Sequence, residues 1–245
     1  MQIKRAAILW AGFGRRISNE YGGIHKATIM LRGKTLAWRI LDNVYKSGIT
    51  EIIPVLGYRA DDILGEIDKY GKFEKVLPVY NNRFRETNNL YSLCQAKEIL
   101  SENDFVVING DMVFDYHILK GICNVDGNAV ATDTNDYQYL IDSPRVLVDG
   151  LGRIIDIGRH LDRTRANGYA IGIYKFSKEY SSRFFRDGIR ITNNNLNAGY
   201  HEPLKECFSD VEWNIFPTQQ YEWMDIDEKS DVEKAEAMIC RIENR

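Results

Sequence analysis

Short apolar runs alternate with segments of helical periodicity in the first half of the chain, and this alternation limits the possible folds more than any other feature. Ala6–Trp10 is apolar throughout, as strands buried on both faces are. Leu36, Ile40 and Val44 recur at helical spacing before Gly48 ends the segment. Further predicted strands are Glu51–Leu56, Lys75–Tyr80 and Asp104–Ile108, and further predicted helices are Asp61–Tyr70 and Asn89–Leu100. This order predicts a mostly parallel sheet with helices on both faces.

The pattern changes after about Gly127, where segments of strand character follow one another more closely. Arg145–Val148 and Arg153–Ile157 flank a glycine turn and are predicted to form a hairpin. Gly168–Phe176 is a further predicted strand, whereas the asparagine-rich stretch Thr192–Ala198 is predicted to be a loop.

The chain contains no internal repeat, low-complexity tract or linker, which favours a single domain over residues 1–245. We predict an α/β, Rossmann-like three-layer sandwich whose sheet is mixed but mostly parallel. Residues from about 127 to 220 are predicted to add a β-hairpin/lid elaboration that folds over a site. The last helix is predicted to begin at Ser230, because Ser230 and Glu233 match a capping box.

Charge and hydropathy exclude several classes of function. A net charge of −3 with scattered basic residues offers no attraction to a nucleic acid polymer. The sequence has no apolar stretch of roughly 18 residues, so no membrane association through a spanning segment is predicted. The four cysteines are far apart, as is typical of a reducing cytoplasm, so a cytoplasmic location is predicted. Small α/β enzymes are often dimers, and a homodimer is left open.

The loop after the first predicted strand combines two glycines with two arginines in the segment Leu9–Arg16. A strand that ends in Gly-x-Gly can bring unpaired backbone N–H groups close to phosphate oxygens. The arginines add side chains that form bidentate hydrogen bonds to phosphate. An ordinary tight turn would also explain the glycines, and Ile17 breaks the dinucleotide-binding fingerprint by replacing its third small residue.

Lys26 and Asp111 are candidates to act on the same ligand. Lys26 follows the glycine loop and could reach a triphosphate there, although a solvated surface lysine is the commoner case. Asp111 lies just past a buried predicted strand, where open α/β sheets bind ligands. Its carboxylate suits Mg²⁺, which takes one or two carboxylates besides phosphate and water. The alternative is an aspartate that caps a turn.

Asp225 and Asp227 lie in an Asp-Ile-Asp segment ahead of the last predicted helix. Alternation along an extended chain points both carboxylates to one face, with Met224 and Ile226 on the other. Two carboxylates on one face repel each other unless a cation lies between them. The segment is therefore a candidate metal-binding element, and ordinary acidic charge at a helix N-terminus is the alternative.

Together these motifs resemble those of the nucleotidyltransferases that activate sugars and phospho-alcohols. Their signature, L-A-A-G-x-G-x-R-(L/M) followed by a lysine, is similar to Leu9–Ile17 with Lys26. Thr87–Leu93 is similar to the T/Y-N-N-x-Y-S segment of the phosphocholine and aminoethylphosphonate cytidylyltransferases. The similarity continues through Gly57-Tyr58 and Ile171–Phe176, and it covers most of the chain.

The resemblance implies a role for each matching residue. Lys26 and Arg16 would be catalytic, and Asp111, Asp225 and Asp227 would hold Mg²⁺. The residues implied to bind the nucleotide are Leu9, Ala11, Gly12, Phe13, Gly14, Arg15, Arg16, Asn88, Asn89, Ser92 and Gly110.

Three residues depart from the family pattern. Trp10 stands where Ala is usual and His25 where Pro is usual, and both are expected to alter the shape of the loop. Asp225 stands where Glu is common, and its shorter side chain leaves open whether it binds the metal directly.

The implied reaction is CTP-dependent transfer of CMP to the phosphate or phosphonate of a small metabolite. The acceptor oxygen would attack the α-phosphorus and pyrophosphate would leave, which requires positioning and charge neutralisation rather than covalent help. An ionised acceptor needs no general base, so no catalytic histidine is expected. CTP is implied by the segment with Asn88 and Asn89, whose amides offer donors and an acceptor to a pyrimidine edge. The alternative is that they only cap the next helix.

The sequence leaves the acceptor open among phosphocholine, aminoethylphosphonate, a phosphorylated amino acid and a polyol phosphate. An aromatic cage for a choline head would draw on Tyr137, Tyr139, Tyr169, Tyr200, Trp213, Tyr221 and Trp223. A site for a carboxylate-bearing acceptor would draw on Arg145, Arg159, Arg163, Arg165 and Lys175. The acceptor-binding candidates are Tyr137, Tyr169, Tyr200 and Arg159.

Three other functions remain open. A sugar-1-phosphate nucleotidyltransferase would use another nucleoside triphosphate with the same motifs. A metal-dependent glycosyltransferase would share the strand-end carboxylates but would not need the glycine loop, arginine and lysine that suit a triphosphate. A non-catalytic nucleotide-binding module would keep the loop and could dispense with the carboxylates, which this chain retains.

Overall fold

The computed structural model describes residues 3–135 and 143–245, and within them ten strands form one mixed sheet. In chain order the strands are β1 (Arg5–Trp10), β2 (Met30–Leu31), β3 (Lys34–Thr35), β4 (Glu51–Leu56), β5 (Lys75–Val76), β6 (Val79–Tyr80), β7 (Phe105–Asn109), β8 (Met112–Phe114), β9 (Asn128–Asp133), β10 (Arg145–Val148), β11 (Ile154–Gly158), β12 (Gly168–Phe176), β13 (Trp213–Pro217) and β14 (Trp223–Asp225). The helices are α1 (Arg15–Glu20), α2 (Leu36–Lys46), α3 (Ala60–Tyr70), α4 (Asn89–Cys94), α5 (Lys97–Leu100), α6 (Tyr116–Cys123), α7 (Lys178–Asn194), α8 (Glu202–Lys205) and α9 (Lys229–Glu243).

The centre of the sheet is parallel and its far side is antiparallel. The strand order is β11-β10-β12-β7-β1-β4-β5, with β6 also paired to β4, and with β9 joining β12 to β13. Strand β1 is parallel to both β4 and β7, whereas β12 runs antiparallel to β7 and β9. The predicted hairpin is present as β10 and β11, which extend the same sheet.

Helices cover both faces of the sheet, so the molecule has three layers. Successive side chains of β1 enter opposite cores, as the two-residue period of a strand requires: Ala6 and Ile8 pack in one core and Ala7 in the other. The first core contains α2, α3, α6 and α9, and the second contains α4, α5, α7 and α8. The predicted three-layer α/β fold with a mostly parallel sheet is confirmed. Among the described helices, none is both long enough and apolar enough to cross a bilayer.

Two predicted elements are interrupted. The strand predicted over Lys75–Tyr80 is divided into β5 and β6, because Pro78 between them has no N–H to donate to the ladder. The helix predicted over Asn89–Leu100 is divided into α4 and α5. At the break, the backbone N–H groups of Gln95 and Ala96 bond to carbonyls only three residues back, which tightens the turn and ends the α-helical pattern.

Two other local predictions are wrong in position. The predicted loop Thr192–Ala198 begins inside α7, which continues to Asn194 because the packing of its apolar face outweighs the turn preference of asparagine. Helix α9 begins at Lys229, and its capping box joins Glu228 to Asp231 instead of Ser230 to Glu233. Asp231 Oδ2 accepts hydrogen bonds from the backbone N–H groups of Asp227 and Glu228, each at 2.9 Å, which fixes the chain just after β14.

Candidate active site

The loop between β1 and α1 forms one wall of a cavity of about 240 Å³, called the first cavity below. Gly14 has a φ of 57°, in the left-handed region that favours glycine. A Cβ at Gly14 would lie 3.2 Å from the Cβ of Lys26, so the glycine also lets the lysine approach the loop. The predicted residues that line the first cavity are Leu9, Ala11, Gly12, Gly14, Lys26, Asn88, Asn89, Ser92, Gly110 and Asp111.

His25 holds the turn that presents Lys26. Its Nδ1 accepts a hydrogen bond from the backbone N–H of Ala27 at 3.0 Å, and its Nε2 lies 3.0 Å from the carbonyl oxygen of Trp10. Nε2 therefore carries the proton and donates to Trp10. Burial lowers the pKa of His25, so the ring is neutral and has a structural role. This imidazole ties the lysine turn to the end of β1, at a position where the family usually has proline.

Lys26 connects two of the predicted metal-binding carboxylates. Its Nζ donates to Asp111 Oδ2 at 3.0 Å and to Asp227 Oδ1 at 2.8 Å. The lysine side chain is 7% exposed. Burial opposes its charge, but the two carboxylates outweigh burial and raise the pKa of Lys26 above its ordinary value. The amine is therefore a charged group in the midst of the aspartates.

Strand pairing brings the distant aspartates together. Strand β14 runs antiparallel to β8, with Asp225 opposite Met112, and the backbone N–H of Ile226 donates to the carbonyl oxygen of Asp111 at 2.8 Å. Asp111, Asp225 and Asp227 thus form the carboxylate cluster, although more than 100 residues separate the first from the others. As predicted from alternation, Asp225 and Asp227 face the same cavity, described below.

The chemistry of the carboxylate cluster fits a hard divalent cation. Asp225 Oδ1 is buried without a hydrogen-bond partner among the described residues. Burial and then the neighbouring Asp111 raise the pKa of Asp225 well above its usual range, so a nearby positive charge would relieve both costs. In the described ranges no three acidic, histidine or cysteine side chains are grouped as metal ligands, and the Lys26 amine is itself the cation between Asp111 and Asp227.

Trp10 and Gly110 form the floor between β1 and β7. Trp10 is buried, and its Nε1 donates to the carbonyl oxygen of Gly110 at 3.0 Å. A Cβ at Gly110 would lie 2.2 Å from Trp10 Cδ1 and 2.3 Å from the carbonyl oxygen of Leu9, which only glycine avoids. The tryptophan that departs from the family pattern is thus packed against the glycine before Asp111, and it sets the position of that backbone.

Asn88 and Asn89 line the first cavity and also hold local structure. Asn88 Oδ1 accepts from the N–H of Asn89 as the cap of α4, and its Nδ2 donates to the carbonyl oxygen of Asn197 at 3.1 Å. Asn89 Oδ1 accepts from the N–H of Tyr200 at 3.0 Å. The capping alternative therefore describes Asn88, while Nδ2 of Asn89 has no hydrogen-bond partner within residues 3–135 and 143–245 and remains a donor for a ligand.

Three loop residues differ from the rest of the predicted nucleotide set. Arg16 lines a second cavity instead of the first, and its guanidinium lies 3.4 Å from both Asp227 and Glu228. Phe13 packs edge-on against Tyr58, with ring centroids 4.2 Å apart, and is not a lining residue of the first cavity. Arg15 begins α1, and its side chain lies outside the described part of the chain.

The second cavity, of about 480 Å³, shares Asn88, Asn89 and Asn109 with the first. Of the predicted acceptor residues, Tyr200 and Arg159 line it. Tyr169 is 6% exposed within β12 and lines neither cavity, so the geometry does not support its predicted contact with an acceptor. Tyr137 lies outside the described residues.

Two asparagines of the site were missed from the sequence. Asn109 ends β7 at the boundary of the two cavities, and its Oδ1 accepts a hydrogen bond from the Tyr200 hydroxyl at 3.0 Å. Asn81 is fully buried, and its Nδ2 donates to Ser92 and to Thr87, each at 2.9 Å, which supports the wall of the first cavity. Asn109 directly precedes the Gly-Asp motif and could have been found there, whereas no local pattern identifies Asn81.

Comparison with known proteins identifies the family. The model of the MobA-like NTP transferase domain matches residues 6–174 of the chain. The chain belongs to this family. It is therefore a member of the nucleotidyltransferases, as the sequence motifs predicted, and nucleotidyltransferases of this kind generally use a divalent metal ion.

Individual relatives include cytidylyltransferases. The chain is 23% identical, over 98% of its length and 52% of the relative, to a bifunctional IPC transferase and DIPP synthase of Aquifex aeolicus. It is 31% identical to the choline-phosphate cytidylyltransferase of Streptococcus pneumoniae over 45% of this chain and 46% of the relative. The chain spans about half the length of the curated relatives it matches.

Among solved structures, the inositol-1-phosphate CTP transferase from T. maritima has a similar fold. The TM-score is 0.83, with 19% sequence identity over 99% of this chain and 98% of the other. This likeness extends over nearly the whole chain and confirms the nucleotidyltransferase fold.

Proposed function

We propose that this protein is a cytidylyltransferase that transfers CMP from CTP to the phosphate or phosphonate of a small metabolite. The observation that carries the proposal is the link made by Lys26 between Asp111, which lines the first cavity, and Asp227, which lines the second. A nucleotide in the first cavity and an acceptor in the second would meet at this charged amine. Such a junction suits an in-line transfer, which depends on positioning and charge neutralisation.

In the proposed reaction, an acceptor oxygen forms a bond to the α-phosphorus of CTP. The bond from that phosphorus to the oxygen bridging the β-phosphate breaks, and pyrophosphate leaves with the electron pair. The acceptor brings its own lone pair as an ionised phosphate or phosphonate, so no protein base is needed. Gly12 and Gly14 present backbone close to the phosphates.

Lys26 is the residue we place at the transferring phosphoryl group. Its raised pKa keeps the amine charged at neutral pH, and its burial strengthens its interaction with an anion. The amine donates to both Asp111 and Asp227, so it would exchange one carboxylate for a phosphate oxygen when CTP binds. Arg16, exposed beside Asp227, is placed to bind phosphate from the open side.

Asp111 and Asp225, with Asp227 beside them, are the residues that we propose hold Mg²⁺. When bound, the ion would neutralise charge on the phosphoryl group during transfer. The buried and unpartnered Oδ1 of Asp225 supports this assignment, because an oxygen without a hydrogen-bond donor is open to a hard cation.

The choice of CTP is supported by the Thr87–Leu93 segment and by the relatives that act as cytidylyltransferases. Asn88, Asn89 and Ser92 of this segment line the first cavity, which supports a contact with the nucleotide. The Nδ2 amide group of Asn89 has no partner among the described residues and could donate to an acceptor atom of the cytosine ring.

The test is pyrophosphate release by the purified protein with each of CTP, UTP, ATP and GTP against a panel of phosphorylated acceptors and Mg²⁺. We expect release with CTP that requires an acceptor and is lost in Asp111→Asn. Release only with another nucleotide and a hexose 1-phosphate would favour a sugar-1-phosphate nucleotidyltransferase. Hydrolysis of a nucleotide-sugar would favour a glycosyltransferase, and CTP binding without any turnover would favour a binding module.

A further inference from the structure

The end of the second cavity formed by β11 and α8 gathers basic side chains. Arg159 and His160 follow β11, Lys205 ends α8, and all three line the cavity. Gly158 allows this close approach, because a Cβ there would lie 2.6 Å from His160 Nδ1 and 3.1 Å from Lys205 Cε. None of these three residues lines the first cavity, whereas Lys26 lines only the first, so the basic end lies away from the transferring centre.

Arg159 is the basic group at this end whose charge the described residues do not balance. Lys205 Nζ donates to Glu202 at 2.9 Å, and His160 Nε2 lies 2.9 Å from Asp156 Oδ2. The Arg159 guanidinium makes no hydrogen bond or ion pair within residues 3–135 and 143–245.

The nearby histidine, His201, is a second partner of Glu202, so this carboxylate is not free to pair with Arg159. His201 lies 3.3 Å from Glu202, and burial, together with the nearby Arg159 and Lys205, lowers the pKa of the ring to about 4. His201 is therefore neutral at neutral pH, and Glu202 is shared between it and Lys205. At this end of the cavity, Arg159 is therefore the cation that has no pairing partner among the described residues.

The backbone around Arg159 is held in place. The Arg145 guanidinium donates from Nη1 to the carbonyl oxygens of Arg159 at 2.8 Å and Leu161 at 3.1 Å. Arg145 lies on β10, so this turn is attached to the sheet itself. The fixed turn places Arg159 at this end of the cavity, and a guanidinium there can bind an anion through two hydrogen bonds.

The aromatic lining does not suit a quaternary ammonium group. In the described part of the chain the rings that line the second cavity are Tyr174 and Tyr200, which are 1% and 3% exposed. The rings meet edge to face with centroids 4.7 Å apart, and the Tyr200 hydroxyl is bonded to Asn109. A cation–π site needs an open ring face within about 6 Å of the cation, and both of these rings are buried almost completely.

We propose that the acceptor carries a second anionic group, a carboxylate or a further phosphate, which the Arg159 guanidinium binds at the basic end of the second cavity. The proposal rests on the proposed function, since it names the class of acceptor for that reaction. It excludes acceptors with a cationic head, such as phosphocholine, as preferred substrates.

The experiment measures kcat/KM for a series of acceptors, with CTP as the nucleotide in every assay. The acceptors are 3-phosphoglycerate, glycerol 3-phosphate, phosphocholine, phosphoserine and inositol 1-phosphate. The first two share a three-carbon skeleton and a phosphate and differ in a carboxylate against a hydroxymethyl group. We expect the wild-type protein to prefer 3-phosphoglycerate or phosphoserine by about tenfold or more. Arg159→Met should raise KM for that acceptor about tenfold, and leave kcat and KM for glycerol 3-phosphate within about twofold.

Arg186→Met is the matched control, because Arg186 is exposed on α7 and lines neither cavity. It should leave every constant unchanged. Equal or better use of glycerol 3-phosphate, inositol 1-phosphate or phosphocholine overturns the anionic-acceptor proposal while the proposed function stands. An unchanged KM for 3-phosphoglycerate in Arg159→Met does the same. No pyrophosphate release from CTP with any member of the panel overturns both.

Discussion

Replacing Lys26 by methionine removes the amine and keeps an unbranched side chain of similar length. In the wild-type protein Nζ lies 3.0 Å from Asp111 Oδ2 and 2.8 Å from Asp227 Oδ1. A hydrogen bond to a charged group contributes about 1.5–3 kcal/mol, but these carboxylates are 40% and 46% exposed, so water screens them. We expect the free energy of unfolding to fall by only about 1–2 kcal/mol.

The effect of Lys26→Met on turnover should be much larger than its effect on stability. Loss of one preorganised group that stabilises charge in the transition state typically lowers kcat by about 10²–10³-fold. We expect that loss in pyrophosphate release, with unfolding in urea as the parallel measurement. Lys69→Met is the control, since Lys69 is 73% exposed and pairs only with Glu66 among the described residues.

A kcat for Lys26→Met within about threefold of the wild-type value would refute the placement of this amine at the transferring group. A loss of activity that merely follows unfolding would refute it too, so the two measurements are made at the same temperature and pH. Equal losses in Lys26→Met and Lys69→Met would point to an effect of net charge.

Three further changes have defined outcomes. Asp225→Asn removes a carboxylate with a buried, unpartnered oxygen, so it should raise the free energy of unfolding of the metal-free protein by about 1 kcal/mol. It should also lower kcat by about 100-fold or more. Urea unfolding with a chelator and pyrophosphate release measure the two effects, and a less stable or fully active variant would contradict the prediction. Tyr200→Phe should lower kcat/KM about three- to tenfold by freeing the Asn109 amide to turn, and unchanged kinetics would count against that role. His201 has a pKa of about 4 in the folded protein against an ordinary 6.5, so the unfolded chain binds more protons between these values and stability is lost as pH falls through them. Urea unfolding measures how much the free energy of unfolding falls between pH 7 and pH 4.5. This fall should be smaller by about 1–3 kcal/mol in His201→Gln than in the wild-type protein, and equal falls in both proteins would contradict the assignment.

The elements nearest the glycine loop Leu9–Arg16 were predictable because their signals are local. Ala6–Trp10 is apolar on both faces, and Gly14 occupies a left-handed conformation that few other residues adopt readily. Both facts depend on neighbouring residues and backbone sterics. The strand and the glycine turn therefore followed from the sequence without knowledge of the rest of the fold.

The contacts among Lys26, Asp111 and Asp227 were not predictable in the same way. They depend on the register of β14 against β8 and on a turn whose shape His25 fixes, and neither has a local signal. The resemblance grouped these residues as a site, but the direct pairing of the lysine with both carboxylates is a property of packing. The capping box was misplaced for a related reason, since Asp231 bonds the backbone of Asp227 and so starts α9 earlier.

The second half of the chain was less predictable because its elements depend on tertiary contacts. Helix α7 was not predicted, and its last residues, Thr192–Asn194, fall in the predicted loop; the helix forms because Phe184 and Phe185 pack in the core. Strands β9 and β13 pair with each other across a long separation in sequence, and neither was predicted. The roles of Arg159 and Tyr200 in an acceptor site stay predictions.

Mass spectrometry of the products formed from CTP and a phosphorylated acceptor decides whether CMP is transferred at the junction of the two cavities. We expect one pyrophosphate for each molecule of a new product that contains both CMP and the acceptor, and no such product from Lys26→Met. Release of CMP and pyrophosphate without a joined product, or a joined product formed at the wild-type rate by Lys26→Met, would contradict the proposal.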